Sequence, residues 1–126
     1  MRYALLVCAV LALSACYIEG SAGVAFMNKS QHDIENIWGA ADDVIPLLRP
    51  GESVVRFVHW LDNVSSDLDL RFYINGKVYG TRITDKEREE AGEAEGYRFK
   101  SSPRMNDGDS FTVTVYSDLW WAIKEN

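Results

Sequence analysis

Residues 67–83 constrain the fold most. Leu68, Leu70, Phe72 and Ile74 alternate with Asp67, Asp69, Arg71 and Tyr73, and Asn75-Gly76 follows directly. A period of two places the apolar set on one face of a strand and the polar set on the other. Asn-Gly between two extended runs supplies the two left-handed residues of a type I′ turn. The spacing therefore predicts a hairpin whose second strand covers residues 77–83.

Shorter strand signals recur around it. Residues 24–28 form the first. Residues 34–40 form the second, with Ile34, Asn36 and Trp38 expected on one face and Glu35 and Ile37 on the other. Residues 44–48 are apolar and short. Arg49-Pro50-Gly51-Glu52 is a turn, because proline presets φ and glycine tolerates a positive φ. Residues 53–61 then alternate, Val55, Phe57 and His59 against Val54, Arg56, Val58 and Trp60. A short strand is expected near residues 97–100. Asp107-Gly108-Asp109 supplies a turn before residues 110–117, where Phe111, Val113 and Val115 alternate with Thr112, Thr114 and Tyr116. The tail, with Leu119, Trp120, Trp121 and Ile123, reads as a last strand or a short helical turn.

Seven or eight short strands in about 100 residues give an all-β fold, a small antiparallel β-sandwich of immunoglobulin-like or transthyretin-like type. One interruption is expected. Thr84 with Glu87 three residues on forms a capping box, and Gly92 is a plausible stop, so a short helical or acidic-loop insertion lies in this region. A chain of 126 residues with 47% hydrophobic content is enough for one packed domain and not two.

The N-terminus carries a separate message. Arg2 precedes an apolar run of about eleven residues, the pattern of a secretory signal h-region and too short to span a bilayer. The run ends in Leu13-Ser14-Ala15-Cys16, which resembles the lipobox of bacterial lipoproteins. The resemblance covers the first 16 residues, and the residues after it are assigned to no family. It implies that residues 1–15 are removed as a signal peptide and that Cys16 becomes the lipid-modified first residue. Two or three acyl chains, at ~0.8 kcal/mol per buried CH₂, meet the requirement of stable anchoring for more than one chain. Tyr17 stands where an Asp would favour inner-membrane retention. The resemblance thus implies an outer-membrane protein facing the periplasm, held to the membrane through its N-terminal lipid.

Cysteine usage agrees with this reading. Cys8 and Cys16 are the only two, so the processed, acylated chain has neither a free thiol nor a disulfide. Residues 16–23 are expected to be the lipidated Cys and a flexible tether, reaching roughly 13–15 Å, with the sandwich domain over 24–126. Processing removes Arg2 and no acid. The balance becomes 12 Lys+Arg against 19 Asp+Glu, a net charge of −7, which disfavours nucleic acid as a partner.

Candidate sites are few. Residues 85–95 hold six acids and two bases, including Glu89 and Glu90, and could meet a basic partner or stand solvated. Adjacent Trp120 and Trp121 point to opposite faces if extended, so one of them is expected to be exposed at an interface. Asp62, Asp67, Asp69, Asp107 and Asp109 lack the spacing of a known Ca²⁺ loop. His32 and His59, the only histidines, are too few for a transition-metal site. No nucleophile elbow or zinc-protease motif is present. The expectation is a non-enzymatic, cofactor-free protein-binding adaptor or inhibitor of immunity-protein type. The alternative is a small-ligand or Ca²⁺-binding envelope lipoprotein.

Overall fold

The computed structural model describes residues 19–39, 44–61, 65–92 and 98–126. The predicted signal peptide, Cys16 and Asp62 lie outside them. Two four-stranded sheets pack face to face. The first runs β10-β9-β1-β4, with β1 (Glu19–Asn28), β4 (Ser53–Leu61), β9 (Ser110–Val115) and β10 (Trp121–Glu125). The second runs β3-β2-β6-β7, with β2 (Ile34–Trp38), β3 (Ile45–Leu48), β6 (Arg71–Ile74) and β7 (Lys77–Gly80). A small third sheet pairs β5 (Ser65–Asp67) with β8 (Arg104–Asn106). The expected all-β, sandwich-like architecture is what the chain adopts. Among the described residues the strand-to-strand pairings are antiparallel except between β1 and β9, which run parallel at the centre of the first sheet.

The alternating runs over 68–74 and 110–115 bury the faces that their patterns indicate. Phe111 and Val113 of β9 and Val24 and Phe26 of β1 meet Phe72 and Ile74 of β6 in one core. Trp121 stands edge-on to Phe72, with ring centroids 5.2 Å apart, and joins the two sheets. The Asn75-Gly76 turn has φ of 52° and 75°, as the hairpin requires. At the second turn, the Glu52 amide donates to the Arg49 carbonyl at 3.0 Å. The capping box forms in full: Thr84 and Glu87 cap each other's amides at the start of α1 (Asp85–Ala91).

Four expectations are corrected. The tether does not extend to residue 23: β1 begins at Glu19, and residues 20–23 pair with Trp60, His59, Val58 and Phe57. Glycine suits that stretch because a Cβ on Gly20 would lie 2.1 Å from the Trp60 indole, which occupies that space. In β2, Ile34 and Ile37 are both buried and Asn36 is exposed. Asn36 has φ of 50° and the β2–β6 register shifts there, so an irregularity resets the period of two. The strand predicted over 77–83 ends at Gly80, where the Thr81 and Arg82 amides both turn back onto the Leu70 carbonyl. Of the strand expected near residues 97–100, residues 98–100 are described, and there Phe99 makes a single parallel bridge to Gly80.

One internal polar clasp had no sequence signal. Asn28 is buried, and its Nδ2 donates to the carbonyls of His32 and Leu48, while its Oδ1 accepts from the Ser30 amide and hydroxyl. It ties the end of β1 to β3 and satisfies a buried loop's polar groups.

Candidate functional site

The two strands leading to the C-terminus build the first candidate. β9 and β10 are joined through Tyr116–Trp120, with the Tyr116 amide donating to the Trp120 carbonyl at 2.7 Å. Leu119 adopts a left-handed φ of 64° while packing against the core. A leucine in that conformation costs roughly 1–2 kcal/mol, offset here by its burial. The turn splits the tryptophan pair. Trp120 is 49% exposed and Trp121 is 0% exposed. Trp121 Nε1 donates to the Arg98 carbonyl at 3.3 Å. Trp121 is therefore not a partner contact as expected; its indole fills the space between the sheets. Lys100 Nζ lies 4.4 Å from the Trp120 ring centroid and 5.4 Å from that of Trp121, a cation–π bridge that props the exposed ring.

Of the acidic segment, α1 stands on the outer side of the second sheet, and residues 93–95 lie outside the described residues. Arg71 projects from β6 and donates through both terminal nitrogens to the Glu87 carboxylate, Nη1 to Oε1 at 2.8 Å. Its Nε and Nη2 also donate to the Tyr73 hydroxyl. The Arg71 hydrogen bonds, with those of Thr84, hold the Glu87 carboxyl down at about 2, against the opposing effect of burial. Arg71 is shifted upward, chiefly by Glu87. This pairing docks α1 on the sheet and leaves Glu89 and Glu90 exposed. Glu90 and Arg98 line one surface cleft of about 270 Å³ with Tyr73, Lys77 and Val78. Lys100, two residues after Arg98, donates its amide to Gly80. The 98–100 segment thus borders both α1 and Trp120.

The first sheet's outer side has a different character, which the alternation in β4 left undecided. Val54, Val58 and Trp60 of β4 pack toward the core, and Val55, Phe57 and Leu61 stand 55%, 65% and 62% exposed. Phe57 lies over Gly23, whose hypothetical Cβ would be 3.5 Å from the ring. A shallow groove of about 340 Å³ runs over Ser21, Gly23 and Ala25, walled by Val55 and Phe57 on one side and by residues 108–110 on the other. β4 is also an edge strand.

The four described aspartates of the Ca²⁺ alternative have structural duties. Asp67 pairs with Arg104 at 3.2 Å, and Asp69 accepts from the Ser102 hydroxyl at 2.8 Å. Asp107 caps the Ser21 amide and Asp109 the Asn106 amide. Among the described residues no group of three His, Cys, Asp or Glu side chains is placed to hold a metal ion, and no helix is long and apolar enough to cross a membrane. His32 lies 3.4 Å from Asn75, while His59 is exposed on the first sheet's outer side. Compared with family models, curated proteins and solved structures, the chain shows no match.

Proposed function

We propose that this chain is a lipid-anchored cell-envelope protein, attached through Cys16, that acts without catalysis by binding another protein as an adaptor or inhibitor of immunity-protein type. Its anchor belongs in the outer membrane facing the periplasm, on the strength of the lipobox-like Leu13-Ser14-Ala15-Cys16 and of Tyr17 after it. The observation that supports binding is the presentation of Trp120. A strained turn and a lysine against the ring hold a large aromatic half in solvent, and two residues before that lysine Arg98 lines the cleft that α1 borders. Exposed tryptophans are enriched at interface hot spots, and backbone strain concentrates where function over-determines geometry. Trp120 with Glu89 and Glu90 then forms the partner surface, and a basic partner matches the net charge of −7 carried by residues 16–126.

In-cell photo-cross-linking tests this. A photoreactive residue at Glu90 should capture one abundant protein, and Trp120→Ala should abolish the capture while the melting temperature holds. A cross-linking pattern at background level, or one indifferent to Trp120→Ala, would overturn the assignment. Separately, Cys16→Ser should leave an unacylated chain that no longer fractionates with membranes. An unchanged mass would defeat the lipid reading.

A further inference from the structure

We infer that the outer face of the first sheet rests on the lipid bilayer, with Phe57 and Leu61 of β4 entering the boundary between headgroups and acyl chains. This rests on the lipid-anchor reading of Cys16. Three residues' travel separates Cys16 from Glu19, the first residue of β1, and an extended chain covers no more than about 11 Å over that length. Glu19 pairs with Leu61. The end of β4 is therefore leashed to the membrane surface, and the leash is too short for the sheet to stand far from it.

The face held there suits a neutral apolar surface. Register places Ser21, Gly23, Ala25 and Met27 of β1 beside Ser53, Val55, Phe57, His59 and Leu61 of β4 on the outer side. Ser110, Thr112 and Thr114 of β9 and Ala122 and Lys124 of β10 continue it. Glu19 holds the register position beside Leu61 at the leashed end; of the side chains just named, only His59 and Lys124 ionise, in a chain that is 25% charged. At the rim, Asp107 and Asp109 each accept a backbone amide. The opposite side of the sandwich bears Glu35, Arg71, Arg98 and the acids of α1. Val55, Phe57 and Leu61 follow one strand, so laying β4 along the bilayer covers all three, whereas standing it upright covers only Leu61. The leash raises the local concentration of the face at the surface, so a few shallow insertions suffice to hold it there. With so little positive charge on the face and a net charge of −7 on residues 16–126, anionic lipid adds nothing to the attachment. In this posture α1 faces away from the membrane, which leaves Glu89 and Glu90 open to a partner.

The test uses the full chain expressed with its signal peptide and purified as the lipoprotein, with the mass of its N-terminal peptide measured first. His59→Cys and Glu90→Cys variants carry a bimane label. Each is reconstituted in phosphatidylethanolamine vesicles, with or without phosphatidylglycerol, that contain doxyl-labelled lipid. The label at position 59 should be quenched by the doxyl lipid at least about threefold more than that at position 90, equally in both compositions. Adding Phe57→Asp and Leu61→Asp to the His59→Cys variant should bring its quenching down to the level at position 90, with an unchanged melting temperature. Equal quenching at the two positions in a chain whose mass shows the lipid overturns the inference and leaves the anchor standing. A label at position 59 shielded from water yet insensitive to doxyl lipid also overturns it, and assigns the face to a protein or to a second copy. A mass without lipid defeats the anchor reading, and this inference with it.

Discussion

The outer side of the second sheet carries a docked helix, two arginines and several carboxylates; the outer side of the first carries Val55, Phe57 and Leu61 in solvent. Both sheets turn comparable apolar faces inward, so the difference is not one of core quality. The chain supplies its own cover for one outer side through the Arg71–Glu87 pairing. It spends small residues such as Gly23 and Ala25 on the other, leaving a shallow groove over them. The contrast shows how a small sandwich divides its two exposed faces. An apolar strip on an edge strand is a liability in open solution, where it invites pairing with other chains. It is tolerated where something else lies against it, and under the anchor proposed at Cys16 a bilayer would come within reach of Glu19, where β1 begins.

Four tests bear on this contrast, beginning beneath both faces. Trp121→Ala removes the indole that joins the sheets and should cost roughly 3–5 kcal/mol, read by chemical denaturation. Its neighbour Trp120→Ala should cost less than about 1 kcal/mol, most of it the lost contact with Lys100. If the two costs were equal, the division of the pair between core and surface would be wrong.

The second sheet's cover comes next. Glu87→Ala removes the partner of Arg71 and half of the capping box at once. It should cost roughly 2 kcal/mol and loosen α1, seen as faster amide exchange over residues 85–91. Unchanged exchange there would mean that α1 is held by something other than this pair.

Acid offers a gentler probe of the same contact. The Glu87 carboxyl is depressed in the folded chain to about 2 from an ordinary value of 4.5. Its contribution is therefore fully present above the unfolded value and is lost as pH falls from about 4.5 towards 2. The wild-type chain should lose stability over that window, and Glu87→Gln should flatten the loss. Matching pH profiles for the two proteins would break the assignment.

The smallest effect belongs to the first sheet's outer side. Phe57→Ser should change stability by less than about 1 kcal/mol, because the ring is mostly exposed where it lies over Gly23. A loss several times larger would show that this face supports the fold itself and is not an open surface.

Much of the architecture was legible because strands announce themselves by alternation. The 67–83 hairpin, the inward face of β9 and the capping box at Thr84 each rest on a few adjacent residues whose chemistry permits one local geometry. The legibility ended where phase depends on a neighbour. Nothing in the residues of β2 says that Asn36 takes a positive φ and brings Ile37 to the same side as Ile34; the pairing with β6 imposes it. The start of β1 at Glu19 was hidden because small residues read equally as a tether until Trp60 and Phe57 lie against Gly20 and Gly23. β5 and β8 are three residues each and have meaning only as a pair.

The candidate surface divides in the same way. That one of Trp120 and Trp121 would be exposed follows from the geometry of an extended chain. That it is Trp120, with Lys100 beneath it, required the left-handed turn at Leu119 and the space between the sheets that Trp121 fills. By itself the sequence determined the class of fold, its clearest turns and, through Leu13-Ser14-Ala15-Cys16, the expectation of an anchor, because all of these depend on near neighbours along the chain. Only the tertiary structure decided which face of β4 turns outward. Val55, Phe57 and His59 balance Val54, Val58 and Trp60 almost evenly in apolar character, and the choice falls to whichever set meets a partner sheet.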